Sequence, residues 1–552
     1  SSWATAATNI QDAVDAATVP GATVLVGNGT YSNGHRDGSR VAVKKLLILR
    51  SVEGPQETII DGNGEMRCVY LANGAILSGF TLTNGSAENG GGVYAESFAC
   101  VITNCLLTGN FAGDAGGGAC GGTLYNCTLT NNSAQGVGGG ACEGTLYNCA
   151  LTANGAREYG GGACEGALYN CSLTGNSAVD GGGACWSTLY NCTLTGNSAD
   201  YGGGDAGGKL YNCTLTGNSA RDGGGAYNST LHNCTVTGNS AQGVGGGACE
   251  GTLYNCTVTA NLASQGGGLC RSTAYNSIVY FNTAIIGGNH CESTLNHCCT
   301  TPLPGNGVGN IDADPQLVSM DHIGASSPCR WAGDAKYATG VDIDGEPWAS
   351  PPSIGCDEIQ PGPLTAPLSP TIWTQTTAVG VGYAVKLVGS IKGQPTASAW
   401  DFGDETQATN LGYVTHAWGS AGDYTVRFVA YNDNHPDGVA ATVTITVVEA
   451  VHYVSLNSIN PVPPYSSWAT AATNIQDAVD AATGTGATVL VSNGTFAAGE
   501  CRASGDSRNR VVVAKPLIIK SVEGPETTII DGNGKMRCVY LANGAILSGF
   551  TL

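Results

Sequence analysis

The sequence predicts an all-β protein built on a parallel β-helix, and three observations carry that expectation. Near-copies of one unit, such as "GGGACEGTLYNCTVTAN" from Gly245 to Asn261, follow one another from about Gly90 to Thr300. Within a unit, apolar and polar residues alternate with period two over short runs. Gly supplies 84 of the 552 residues without a collagen period, so sharp corners recur in every unit.

The units align on Asn-Cys. Cys105, Cys127, Cys149, Cys171, Cys192, Cys213, Cys234, Cys256 and Cys298 recur at about 21–22 residues, with Ser277 standing in once. Seven residues earlier lie Cys120, Cys142, Cys164, Cys185, Cys249, Cys270 and Cys291, where Ala206 and Tyr227 substitute. A third series is Asn110, Asn132, Asn154, Asn176, Asn197, Asn218, Asn239, Asn261 and Asn282. Three short strands per step, with no helical return, fit one rung of a β-helix. A leucine-rich repeat would want several Leu per unit and a helical return, which these units lack. A single rung cannot bury its own inner face. Stacking at about 4.8 Å pairs every strand and makes a continuous core.

Stacking also explains why the residues repeat. Equivalent positions lie above one another, so identical side chains form ladders. Asn at a turn can bond to the amides of neighbouring rungs. Cys is small and apolar enough for a narrow corner. Period two in "TLYNCTLTGN" turns Leu124 and Leu129 inward and Tyr125, Thr128 and Thr130 outward. The same alternation predicts inward structural ladders of Asn126 and Cys127, Asn148 and Cys149, Asn170 and Cys171, Asn191 and Cys192, and Asn212 and Cys213. The sequon Asn126-Cys127-Thr128 would then fall in the core. Disulfides between rungs are sterically allowed, and free thiols are equally consistent with the sequence.

One outward ladder is a candidate ligand or interface stripe: Tyr125, Tyr147, Tyr169, Tyr190, Tyr211, Tyr254 and Tyr275, with His232 in the series. Aromatic stripes stack on sugars and are enriched in protein interfaces, although Tyr can also simply pair with itself along a sheet. Glu143, Glu165, Glu250 and Glu292 recur beside the second cysteine series, and Ca2+ is the ion such a row could hold. No cofactor is required.

The remaining elements follow in chain order. "TNIQDAVDAA" has helical spacing at Ile10, Ala13, Val14 and Ala17, with Thr8 and Gln11 as a capping box. A cap helix over about residues 8–17 would cover the first rung. "ATVLVGNGTY" and "KKLLILRSVEGPQETIIDGNG" read as the first strands, opening rungs that run over about residues 22–320. A closing run, "DADPQLV…GVDIDGEPWASPPSIGCDEIQ", completes a β-helix domain at residue 360. In this combination of cap, Asn-Cys-Thr rungs and closing run, residues 1–360 resemble bacterial right-handed parallel β-helix repeat proteins. The rungs look like those of polymorphic outer-membrane autotransporter adhesins. The resemblance implies secretion and a right-handed solenoid. It leaves activity open, because such relatives include adhesins, structural proteins and polysaccharide lyases or hydrolases.

"PGPLTAPLSP" is a Pro-rich linker. Residues 361–450 then resemble a PKD domain, through Trp400, Asp401, Phe402, Gly403 and Asp404 and through His416, Gly422, Tyr424 and Val426. That resemblance implies a β-sandwich with spacer, adhesion or glycan-contact roles. At residues 451–552 the sequence restarts: "SSWATAATNIQDAVDAAT" recurs at Ser466, and "MRCVYLANGAILSGFTL" from Met66 recurs unchanged at Met536. The chain reaches Leu552 mid-rung, and Ser1 lacks the "VHYVSLNSINPVPPY" lead-in of the second copy. We therefore expect one period of about 465 residues of a longer tandem array.

Formal charge is −20 with pI about 4.6. Nucleic acid is excluded as a partner, because phosphate neutralisation needs clustered Lys and Arg. No apolar run reaches membrane-spanning length. With 23 Cys, scarce Lys and no CxxC pair, the composition suggests an exported, extracellular or cell-surface protein. Catalysis would need converging acids or an acid-base pair. Asp180, Asp200, Asp205 and Asp222, with Arg221 nearby, form the one irregularity of that kind, and Asp in turns is common for backbone reasons. Asp342 and Asp344 in "VDIDGE" read as a turn. The expectation is a non-enzymatic extracellular fibre or adhesin that binds copies of itself and contacts glycans. A secreted polysaccharide-active enzyme or glycan-binding protein is the alternative.

Overall fold

Short strands with identical inward residues can only bury those residues by stacking, and the computed structural model does so. It describes residues 3–374, 376–448, 451–502, 508–542 and 544–552. The chain divides into two compact units, Ser1–Pro363 and Leu364–Leu552.

The first unit is a parallel β-solenoid of about thirteen turns. Three sheets of 13, 12 and 13 strands run along it. One unit contributes Ala119–Cys120 to an alanine–cysteine sheet, Thr123–Tyr125 to a tyrosine sheet and Thr128–Thr130 to a threonine sheet. Register is unbroken: Leu124 pairs with Leu146, Leu168 and Leu189 on successive rungs, and Tyr125 with Tyr147, Tyr169 and Tyr190. Leu124, Cys127 and Leu129 are fully buried, and so are their equivalents. Each such Leu contributes about 1.5–3 kcal/mol through burial. The triple-glycine corner has a steric cause. A Cβ on Gly117 would lie 2.3 Å from the Ser133 carbonyl oxygen and 2.5 Å from that of Gly139.

Three local expectations need correction. The cap helix is Ile10–Ala16, and its N-cap is Asn9, whose side chain accepts the Asp12 amide; Thr8 plays no such part. Gln11 instead reaches the first rungs, where its Oε1 accepts the Ala42 amide at 2.8 Å. The last rung strand is Cys299–Thr300, so the regular rungs stop well short of residue 320. Finally, Asn126 does not accompany Cys127 into the core. It takes the left-handed conformation, φ 51°, and stands exposed at the corner between two strands. The corner consumes one residue and resets the alternation. Asn148, Asn170 and Asn191 are exposed likewise, and Asn212 is half-buried, so the sequon at Asn126 is a surface feature.

Residues 301–363 form the closing segment, without regular strands. It lies along the last rungs and takes hydrogen bonds from their corner asparagines: Asn233 to the Val341 carbonyl, Asn255 to that of Tyr337 and Asn276 to that of Asp334.

The second unit holds a β-sandwich and the opening of a second solenoid. The sandwich pairs Ser369–Thr374, Val385–Lys392 and Tyr413–His416 in one sheet. Ala378–Gly380, His435–Val448, Gly422–Asn432, Ala397–Asp401 and Gln407–Thr409 make the other. Trp400, Trp418 and Phe428 fill the core between them. In the second solenoid the helix Ile475–Ala481 repeats the first cap, with Asn474 as N-cap and Gln476 accepting the Val512 amide. The lead-in strand Val451–Val454 pairs in parallel with Thr488–Val491 of its own copy.

Candidate functional site

The tyrosine ladder forms as one continuous stack. Ring centroids from Tyr125 through Tyr147, Tyr169, Tyr190, Tyr211, His232 and Tyr254 to Tyr275 are 4.7–5.2 Å apart, with interplanar angles of 4–12°. Tyr337 of the closing segment stacks on Tyr275 at 4.3 Å and covers that end. The ladder is open from Tyr125 to Tyr211; from Tyr147 onward each ring has a neighbouring ring on both faces, and Tyr125 has one on a single face. The corner asparagines run beside it, Asn148 donating to Asn126 at 3.3 Å and Asn170 to Asn148 at 3.3 Å.

The interior ladders satisfy the backbone. Asn132 donates its side-chain amide to Asn154 Oδ1 at 3.0 Å and to the Leu107 carbonyl at 2.9 Å, while Asn154 Oδ1 also accepts the Asn132 backbone amide. The pattern repeats at Asn176, Asn197, Asn218, Asn239 and Asn261. Cys171 donates its thiol to the Tyr169 carbonyl, and its sulfur accepts the Cys149 amide at 3.4 Å. Ser277 makes the same two bonds with oxygen, at 3.0 and 2.8 Å. All 23 cysteines are unbridged thiols. Burial pushes the Cys298 thiol up to about 12 and that of Cys120 to about 11. Those two groups are suited to packing rather than nucleophilic attack, whereas hydrogen bonds from neighbouring thiols lower the Cys171 and Cys270 thiols.

The aspartates flagged in the sequence do not converge. Asp205 lies in register with Ala184 and Ala226, which face the lumen, and it is fully buried. Its Oδ2 accepts from Ser229 Oγ at 2.7 Å and the Gly208 amide at 3.0 Å, and Oδ1 has no hydrogen-bond partner. Burial pushes this carboxyl up to about 7, against the pull of those two bonds. Asp180, Asp200 and Asp222 stay at the outer turns. Burial and the charge of Asp200 raise the Asp180 carboxyl, and Arg221 lies 3.4 Å from Asp222 and 4.3 Å over the Tyr201 ring.

Around those turns lies an aromatic patch that sequence reasoning missed. Trp186 is 51% exposed, lies against Tyr159 at 4.7 Å with the rings tilted by 38°, and covers Gly207 of the next rung. Its φ of 47° is the left-handed value of a corner that takes Gly, Glu, Asn or Arg on other rungs. The large aromatic ring, rather than the backbone, sets this corner apart from its equivalents. Tyr201 and Tyr227 continue the patch at 5.2 Å. The signal was available in the sequence, where Trp replaces Glu in the repeat at residue 186.

The glutamate row does not gather into a cation site. Glu250 and Glu292 flank Arg271 at 3.7 and 3.2 Å, and Glu250 accepts from Tyr227. Among the described residues, the metal-capable side chains that converge are His322, Asp344 and Asp357, in the closing segment.

Residues 368–447 match the PKD domain family. No curated protein matches the chain. Among solved structures, the PKD domain of a human VPS10 domain-containing receptor is 26% identical over 16% of this chain and 81% of its own, TM-score 0.14. A mannuronan C-5 epimerase A-module from Azotobacter vinelandii is 14% identical over 55% of this chain and 94% of its own, TM-score 0.25. A PL6-family polysaccharide lyase from Pseudopedobacter saltans is 12% identical over 62% and 96%, TM-score 0.29. The chain is thus a β-solenoid protein carrying a PKD domain. Residues 451–552 open further parallel sheets of the same kind.

Proposed function

We propose that the chain is an extracellular structural and adhesive protein, built as a tandem array of β-solenoid and PKD modules and working without catalysis. The observation that carries this reading is the joint between the sandwich and the second solenoid. Gly380 of the sandwich donates its amide to the Thr485 carbonyl at 2.8 Å, and Thr485 donates to the Ala378 carbonyl at 3.2 Å. A backbone bridge of this kind holds successive modules in one orientation, as a fibre requires and a flexible linker does not. The second cap repeats the N-cap and glutamine bonds of the first, which favours a polymer gaining length per copy. PKD domains are typical of extracellular proteins, and among the described residues no helix is long and apolar enough to cross a membrane. Trp186 with Tyr159 gives the array an exposed ring surface for glycans.

Electron microscopy of the purified chain tests this. Regular filaments should form, and Thr485→Pro, which removes the amide that bonds to Ala378, should abolish them while the solenoid keeps its circular-dichroism spectrum. A dispersed monomer, or filaments unaffected by the substitution, would sink the polymer reading. The alternative, a secreted polysaccharide-active enzyme, would then be favoured by release of reducing or unsaturated ends from polysaccharide.

A further inference from the structure

The closing segment buries more acid than its environment neutralises, and the accounting singles out two carboxylates. Asp342 accepts the amides of Asp344, Glu346 and Glu358. Glu358 accepts the Ser353 amide and hydroxyl and the Ala349 amide. Those two anions are saturated by neutral donors. Asp321 is held by the Ser319 hydroxyl and by His322 Nδ1 at 2.9 Å. Asp344 and Asp357 differ. Asp344 meets His322 Nε2 at 2.6 Å, and Asp357 accepts the Ile323 amide through Oδ2, with no hydrogen bond to Oδ1 from the described residues. These two acids and His322 Nε2 are the atoms that converge, all within 4.8 Å of one another. His322 is 2% exposed and Asp357 4%.

We propose that His322, Asp344 and Asp357 bind a divalent transition-metal ion of the zinc type. One imidazole and two carboxylates are a donor set such ions accept, whereas Ca2+ takes oxygen ligands alone. Asp321 on Nδ1 is the outer carboxylate that orients a ligating imidazole and leaves Nε2 as the donor atom. Zinc–ligand bonds of about 2.0–2.1 Å at tetrahedral angles place donors about 3.3 Å apart. The contact between His322 and Asp344 therefore opens by under about 1 Å on binding. Asp344, whose side chain is 14% exposed, marks the entry path. The ion would tie together three separate stretches, 319–323, 341–346 and 354–358. The last of these is already pinned to the solenoid, since Cys356 donates its amide to Thr257 Oγ1. The ion would thereby fasten the closing segment to the last rungs.

The chain's many thiols are the competing sites, and Co2+ distinguishes them. The full-length protein, fully reduced, is titrated with Co2+ and with Zn2+. The expected result is one ion per chain, visible d–d bands and no thiolate-to-metal charge-transfer band. Zn2+ should raise the melting temperature, and EDTA should reverse the rise. Asp344→Asn keeps size and fold and should weaken binding at least about tenfold. His322→Ala should abolish binding. No saturable uptake, a thiolate band, or unchanged affinity in Asp344→Asn would each overturn the proposal.

Discussion

Asn255 donates its side-chain amide to the Tyr337 carbonyl at 2.9 Å and accepts the Asn276 side-chain amide at 3.0 Å. The corner position that stands in solvent on the early rungs is therefore a docking point on the late ones. An Asn amide has two N–H donors. One goes to the neighbouring Asn of the ladder, and the second is what the closing segment uses. Asn255→Ala should cost about 1–3 kcal/mol, since it strands a carbonyl beneath the closing segment. Limited proteolysis should then cut within residues 301–363 while the rungs stay intact. Asn170→Ala, at the same register position but exposed, should change stability by less than about 0.5 kcal/mol. Equal protease sensitivity of the two variants would contradict the docking role.

The inner asparagine ladder should be far less tolerant. Asn176 Oδ1 accepts both the backbone and side-chain amides of Asn154, and Asn176 Nδ2 donates to the Leu151 carbonyl and to Asn197. Asn176→Ala leaves a buried backbone N–H and a buried carbonyl without partners. At about 1–3 kcal/mol for each of the two stranded groups, the loss should reach about 2–6 kcal/mol. Urea unfolding gives the number. A loss under about 1 kcal/mol would mean that water replaces the missing amide.

The cysteine ladder makes a chemical prediction, because Ser277 is a natural substitution within it. Ser277 accepts the Cys256 amide and donates to the Tyr275 carbonyl, as Cys171 does through sulfur for Cys149 and Tyr169. Cys171→Ser should therefore cost no more than about 1.5 kcal/mol. Cys171→Val is closer in polarity but removes the acceptor for the Cys149 amide, so it should cost more. Thermal melts of the two variants settle the order, and Val equal to or better than Ser would show that the sulfur only fills space.

These cases show which parts were legible in the sequence. The register of Leu124, Leu146 and Leu168 follows from the repeat alone, because stacking makes sequence period and spatial neighbour the same thing. Asn126 was misplaced because a left-handed corner residue interrupts the two-residue alternation, and no hydropathy pattern announces it. The PKD sandwich was legible from Trp400 to Asp404, whose residues set its core and first turn. His322, Asp344 and Asp357 were not, because an aperiodic segment brings them together. Asp342 and Asp344 do form the expected turn, but the sequence does not tell that His322 lies against it.

Asp205 supplies the last prediction. Its carboxyl is raised from 3.8 to about 7 by burial among apolar neighbours. A carboxyl that ionises less readily when folded binds its proton more tightly in the native state. Its contribution is therefore fully present below about pH 4 and falls as pH rises toward 7. A shift of about three units corresponds to about 4 kcal/mol lost across that window, at about 1.4 kcal/mol per unit. Asp205→Asn keeps an oxygen to accept from Ser229 and Gly208 but carries no charge. The variant should match the native chain near pH 4 and exceed it by about 4 kcal/mol at pH 8, the gap widening between pH 5 and pH 7. Comparing urea midpoints of the two proteins at both pH values cancels every other titrating group. A stability difference that does not grow between pH 5 and pH 8 would mean that Asp205 ionises normally, with water reaching its unpaired Oδ1 inside the solenoid.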